Sequence, residues 1–140
     1  MAMAEWTRQR AKEIQAMKSS KQTAEHYTWG SGCDGWHLVK RENLSVIHER
    51  MPPGTSEVRH YHNRSRQFFF VLTGTATLVV GEERHTIHPW EGVEVPPGQL
   101  HQMRNESEDD VEFLVISHPK SHGDRVVLDR HETGGMVYGG

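Results

Sequence analysis

The chain has 140 residues, enough for one hydrophobic core and too few for two ordinary ones. Its formal net charge is −3, from 16 basic and 19 acidic residues with no cationic block, so neither nucleic acid nor an anionic membrane surface is an evident partner. A single cysteine, Cys33, excludes an internal disulfide; no stretch reaches the length of a membrane span and the N-terminus lacks an apolar signal core, so the expected location is cytoplasmic.

In chain order, Ala4 to Lys18 reads as a helix, with Ala4, Ala11, Ile14 and Met17 making a thin apolar stripe among Arg, Lys and Glu. It forms the body of an expected helical extension over residues 1–25, and so weak a stripe needs a neighbour to pack on. Tyr27 to Asp34 is rich in Trp and Gly and reads as a turn. The runs Trp36 to Val39, Leu44 to Met51, Val58 to His62, Phe68 to Leu72, Thr75 to Val80, Arg84 to Ile87, Gly92 to Val95, Leu100 to Arg104 and Val111 to Ser117 read as short strands. Their turns fall at close, regular intervals, which favours an all-β sandwich or barrel over alternating β and α units. The barrel is expected over 26–118, and in the tail over 119–140 only Val126-Val127-Leu128 offers a further edge strand.

Two clusters carry chemistry. The first is Gly54-x5-His60-x-His62-x4-Gln67-x6-Gly74. Residues i and i+2 of a strand share a face, roughly 7 Å apart, so His60 and His62 can bite one metal ion without bending the backbone. With 11 histidines, roughly one His-x-His pair is expected by chance, so the pair alone proves little. Its flanks add weight: Pro52-Pro53-Gly54 is a turn, Asn63 to Arg66 returns the chain, and Gln67 to Leu72 is a β-rich run closing at Thr73-Gly74. The second cluster is an alternating strand, Val93 to Val95, a Pro96-Pro97-Gly98 turn, and a strand bearing His101, with Asn105 beyond it. Proline sets the start of that turn and glycine takes its awkward dihedral, which holds His101 in register against the first pair.

Together the clusters resemble the paired signature of the cupin superfamily: Gly, His-x-His, an acidic residue and Gly, then Pro-x-Gly, His and Asn. The resemblance covers roughly residues 35 to 118 and implies a double-stranded β-helix, or jelly-roll, barrel of the single-domain type holding one divalent transition metal (Fe, Mn, Zn, Ni, Co or Cu). It departs in two places. Gln67 stands where Glu is usual, and Trp90-Glu91 precede Gly92 where Gly-Asp is usual. An amide oxygen can ligate but brings no charge, so three imidazoles and Gln67 would leave a divalent ion its full charge and favour an anionic, chelating ligand. Gln67 is either the fourth ligand beside His60, His62 and His101 or the wall behind a three-histidine site.

Strand alternation then points Val58 into the cavity with the histidine pair, Phe69 and Val71 with Gln67, and Met103 with His101, as an apolar substrate-binding lining or as plain core. It sends Glu57, Arg59 and Tyr61 to the opposite face, making Glu57 a poor substitute for the missing carboxylate. Of the histidines outside the motifs, His48 is the nearest to a candidate because it sits on an expected strand, with His85 and His88 behind it. Cys33 reads as a small packed hydrophobe, and Arg64 and Arg66 as a solvated loop near the barrel mouth with the charge to steer anions. Phe68, Phe70 and Leu72 form an outer stripe that needs cover from the N-terminal helix or from a second subunit, hence an expected homodimer. The functional expectation is a metal-dependent enzyme, of the dioxygenase or the isomerase and lyase type, acting on a small anionic, oxygen-rich metabolite. The alternative is a metabolite- or sugar-binding module with a structural metal. A metal-free sugar epimerase would need a His/Asp or His/Tyr proton-transfer pair that the motif positions do not offer.

Overall fold

In the computed structural model, residues 15–121 and 123–128 are described in full and 136–139 by their backbone. Among them the chain is all-β, built as two facing six-stranded antiparallel sheets. The first sheet orders β1 (Glu25–Trp29), β2 (Cys33–Lys40), β3 (Ser45–Met51), β10 (Val111–His118), β5 (Arg66–Thr73) and β8 (Gly92–Val95). The second orders β12 (Met136–Gly139), β11 (Arg125–Leu128), β4 (His60–His62), β9 (His101–Arg104), β6 (Ala76–Val80) and β7 (Glu83–Ile87). This is the jelly-roll arrangement that the motifs imply. No helix among the described residues is long and apolar enough to cross a membrane.

Strand β10 shows how the sequence dictates the layers. Val111, Phe113, Val115 and Ser117 alternate inward while Glu112, Leu114 and Ile116 face out, and the strand pairs with both β3 and β5. Its inward apolar residues, Val111, Phe113 and Val115, join Met51, Phe69, Val71, Leu78, Ile87 and Met103 in one buried core. A fully buried Phe113 contributes about 1.5–3 kcal/mol relative to an exposed one. Cys33 belongs to the same core and burial pushes its thiol up, in keeping with a packing role.

Two sequence expectations change, and a third lies mostly outside the described residues. Tyr27 to Asp34 is not one turn but the meeting of two strands, β1 pairing β2 from Glu25↔His37 to Trp29↔Cys33. The turn is confined to residues 30–32, with Gly30 and Gly32 both at positive φ, and the aromatic and β-branched residues before it are strand formers. The expected helix from Ala4 to Lys18 lies mostly outside the described residues; its end, from Gln15 to Lys18, has no regular structure. Val126 to Leu128 does form a strand, β11, but it is an inner one, lying between β4 and β12.

The turns of the two motifs lock to each other. Gly98 N–H donates to the His62 carbonyl at 2.6 Å, and Gly54 N–H to the Asn105 carbonyl at 2.9 Å. The Asn105 amide is consumed structurally, donating to the Met51 and Asp109 carbonyls at 2.8 Å each, so it points away from the histidines. It is also buried. Gly74, at φ 79°, lies so close to its neighbour that an added Cβ would fall 2.4 Å from the Asp110 carbonyl oxygen. Replacing Gly74 with alanine is therefore expected to cost about 2–4 kcal/mol in a urea titration, from the left-handed backbone and the overlap together. A loss below about 0.5 kcal/mol would mean that the turn relaxes freely, against this packing.

Candidate metal centre

His60 and His62 stand on β4, whose three residues alternate buried, half-buried, buried. Strand β9 pairs His60 directly with His101, which places a third imidazole beside the first two. The ring centroids lie 4.9 Å apart for His60 and His62, 4.3 Å for His60 and His101, and 5.7 Å for His62 and His101. One ligand nitrogen from each ring falls within 4.8 Å of the others. Gln67 reaches the cluster from the opposite sheet, on β5, so the site is a junction between the two layers.

The hydrogen bonds decide which atoms face the centre. His60 Nδ1 lies 2.9 Å from the Val58 carbonyl and His101 Nδ1 lies 2.8 Å from the Gln99 carbonyl. Carbonyls only accept, so both Nδ1 atoms carry the proton and both Nε2 atoms keep a lone pair, the usual preparation of a histidine ligand. The Gln67 amide nitrogen donates to Ser117 Oγ at 3.0 Å, turning its Oε1 to within 3.1 Å of His101 Nε2. With the ring neutral, these are two lone pairs face to face, and a cation that both atoms touch converts the repulsion into ligation. Both ring nitrogens of His62 are buried with no hydrogen-bond partner among the described residues. Such an orphan costs about 1–3 kcal/mol unless something fills it.

Burial keeps all three rings unprotonated. It lowers His60 to about 4 and His62 to about 3, the neighbouring charge of Arg125 adding to the first and the other two rings to the second. His101 is lowered for the same leading reason. Three neutral imidazoles and an amide oxygen make a donor set compatible with a divalent transition ion.

A cavity of about 160 Å³ opens beside the rings, lined among others by Tyr27, Glu49, Glu57, Phe69 and Arg125. Of the expected lining, Phe69 is there, packed edge-on against the His101 ring at 5.6 Å. Val71 and Met103 are fully buried in the core and do not line the cavity. Val58 is 51% exposed and outside it, while Glu57, expected on the far face, turns in. The cause is a one-residue slip: β4 begins only at His60, and the Val58 carbonyl is drawn to His60 Nδ1. Glu57 instead docks on β9, its Oε1 accepting from Met103 N–H at 2.9 Å, so the alternation reverses before the strand starts.

His48, ahead of the other unassigned histidines by sequence, is on the outer face. It contacts Glu112 Oε1 at 2.8 Å and the Trp36 ring edge-on. Its neighbour Glu49 is the inward residue. The signal was present in the alternation Ser45, Ile47, Glu49, Met51, which puts one carboxyl on the inward face. Burial pushes Glu49 up to about 8, and Tyr27 Oη donates to its Oε1 at 3.3 Å. Arg66 pairs with Glu94 at 3.1 Å on the surface. The tail that carries no sequence motif supplies two further parts. Asp124 carboxyl oxygens cap the loop after His62, accepting from the N–H groups of Arg64 and Ser65 at 2.8 Å each, and Arg125 reaches the cavity.

Two antiparallel sheets closing over a buried cluster of imidazoles define a β-barrel with a polar, ligand-accepting centre. Residues 47–117 match the cupin domain family, and the chain belongs to it. An uncharacterized protein of Streptomyces coelicolor is 31% identical over 90 residues, 63% of this chain and 85% of that protein. Among solved structures, a sugar phosphate isomerase of the cupin superfamily from Silicibacter pomeroyi superposes with a TM-score of 0.67 at 22% identity, over 87% of this chain and 91% of its own. KdgF from a Halomonas species gives 0.69 at 15% identity, over 75% and 94%. At those identities the likeness concerns the fold.

The buried groups give the metal-free protein a peaked pH dependence. The unfolded chain protonates His60 and His62 near 6.5 and the folded chain only near 4 and 3, so this stability is full above 6.5 and is lost as pH falls towards the folded values. Glu49 acts oppositely: the unfolded chain ionises near 4.5 and the folded chain near 8, so stability falls as pH rises between them. Urea titrations at fixed ionic strength should show a maximum at about pH 6–7, with the alkaline side flattened by Glu49→Gln. Stability that climbs steadily through that range to pH 9 would contradict the assignment.

Proposed function

We propose that this cupin is a metal-dependent enzyme acting on a small anionic, oxygen-rich metabolite, of the dioxygenase or the isomerase and lyase type. The observation that carries the reading is that one ring nitrogen each of His60, His62 and His101 lies within 4.8 Å of the others in a buried cluster, with the His62 nitrogens lacking a hydrogen-bond partner among the described residues. His60, His62 and His101 would hold the ion, with Gln67 as a neutral fourth ligand. Bound there, a divalent transition metal supplies Lewis acidity towards substrate oxygens. The chain's own part is to keep the imidazoles neutral, to orient His60 and His101 through the Val58 and Gln99 carbonyls, and to wall the space with Phe69. The solved relatives include a sugar phosphate isomerase and a predicted oxalate decarboxylase from Thermotoga maritima, both named for small oxygen-rich anions, which supports that ligand class here.

Protein purified without added metal should contain about one transition-metal ion per chain, the stoichiometry of a single three-histidine site. His60→Ala or His101→Ala should each strip it while circular dichroism stays that of the folded barrel. Full metal content in either variant would overturn the ligand assignment. Oxygen-uptake and isomerisation assays with chelating acids then separate the enzyme from a binding module: saturable binding without turnover of any of them would favour the module.

The proposal includes a cytoplasmic homodimer. Phe68 and Phe70 stack at 6.0 Å on the outer face, Trp90 packs on Phe70 at 5.9 Å, and Phe68 and Trp90 remain 36% and 73% exposed. A second subunit covers such a stripe more fully than a thinly apolar helix. Deleting residues 1–20 should leave the protein dimeric at micromolar concentration; a monomer before truncation would sink the dimer.

A further inference from the structure

We propose that Arg125 anchors the carboxylate of the acid that this site takes, with Tyr27 and Glu49 forming the polar wall beside it. The inference deepens the metal-enzyme reading and rests on it for the ligand's second oxygen contact. It begins with register. Strand β11 pairs Arg125 directly with His62, and directly opposed residues of an antiparallel pair share a face with Cβ atoms about 5 Å apart. Arg125 thus projects into the cavity next to the imidazole cluster.

Its guanidinium keeps an unmatched donor. Arg125 Nε is buried with no hydrogen-bond partner among the described residues, and none of their ion pairs includes Arg125. Each acidic group facing this space is otherwise engaged. Glu57 Oε1 accepts from Met103 N–H, the Asp124 carboxyl caps the backbone of Asn63, Arg64 and Ser65, and Glu49 is held by Tyr27 Oη. Burial pushes the Glu49 carboxyl up, which weakens it as a rival anion for Arg125. A planar fork of N–H donors that is half-buried, carries a buried Nε without a hydrogen-bond partner and makes no ion pair among the described residues matches a carboxylate, which accepts two parallel hydrogen bonds. Because Arg125 adjoins His62, the ligand's second oxygen must sit close to that carboxylate to reach the imidazole centre. The class so defined is a small 2-hydroxy or 2-oxo carboxylic acid.

The matched pair glycolate and glycolamide, which differ in the charge of one group, tests this by calorimetric titration of the full-length protein loaded with zinc. Glycolate should bind and glycolamide should not. Arg125→Met should keep its zinc yet lose glycolate affinity by about tenfold or more, the usual penalty for a missing charged hydrogen bond, and Arg125→Lys should recover part of it. Should Arg125→Met fail to fold by circular dichroism, Arg125→Gln takes its place. Glycolate affinity equal to the wild type in a folded Met or Gln variant, equal binding of glycolamide, or no glycolate binding at all would overturn the anchor. A wild-type chain that takes up no zinc would instead defeat the metal reading. The same titration on metal-free protein then decides the anchor, sustained if glycolate binding still depends on Arg125 and overturned if it does not.

Discussion

Holding three unprotonated imidazoles at one buried point is the constraint around which the rest of this barrel is arranged. Each ring brings a polar nitrogen into an apolar interior, and left alone each is a penalty rather than a gain. The fold meets it with three devices. The β4–β9 register sets His101 against His60, two backbone carbonyls fix two tautomers, and the Pro-Pro-Gly turn grips the His62 carbonyl from outside. None of these satisfies His62, whose ring nitrogens have no hydrogen-bond partner among the described residues, an arrangement compatible with a metal ion among the rings.

The sheets divide the labour. The histidines belong to one layer and Gln67 to the other, so the facing of the two sheets is itself part of the site's geometry. Ser117, on the central strand β10, orients the Gln67 amide, tying the site to the strand that also carries Phe113 and Val115 of the core. The neutral amide matters chemically. A carboxylate there would lower the charge of any bound cation, whereas Gln67 leaves it undiminished, and an arginine on the adjoining strand adds to it. Both features favour an anionic ligand.

Much of this was legible in the sequence because it rests on local rules. The i, i+2 spacing of His60 and His62, the turn chemistry at Pro96-Pro97-Gly98 and the alternation of β10 need only two-residue periodicity and proline and glycine geometry. What escaped depends on where pairing starts. Val58 and Glu57 exchanged faces because the ladder begins at His60, a boundary that no side-chain pattern marks. Arg125 and Asp124 escaped for another reason. Their roles come from β11 pairing with β4 across some sixty positions of chain, a long-range contact invisible to composition or motif. Glu49 lay in between, visible in the alternation of β3 but overshadowed by the histidine beside it.

The central claim is that His60, His62, His101 and Gln67 surround one metal ion. X-ray absorption at the metal edge, on protein purified without added metal, addresses it most directly, because imidazole rings leave a multiple-scattering pattern that other light ligands do not. The account predicts three imidazoles together with oxygen donors at about 2.0–2.2 Å and no sulfur. A shell containing sulfur, or one with fewer than two imidazoles, would contradict it.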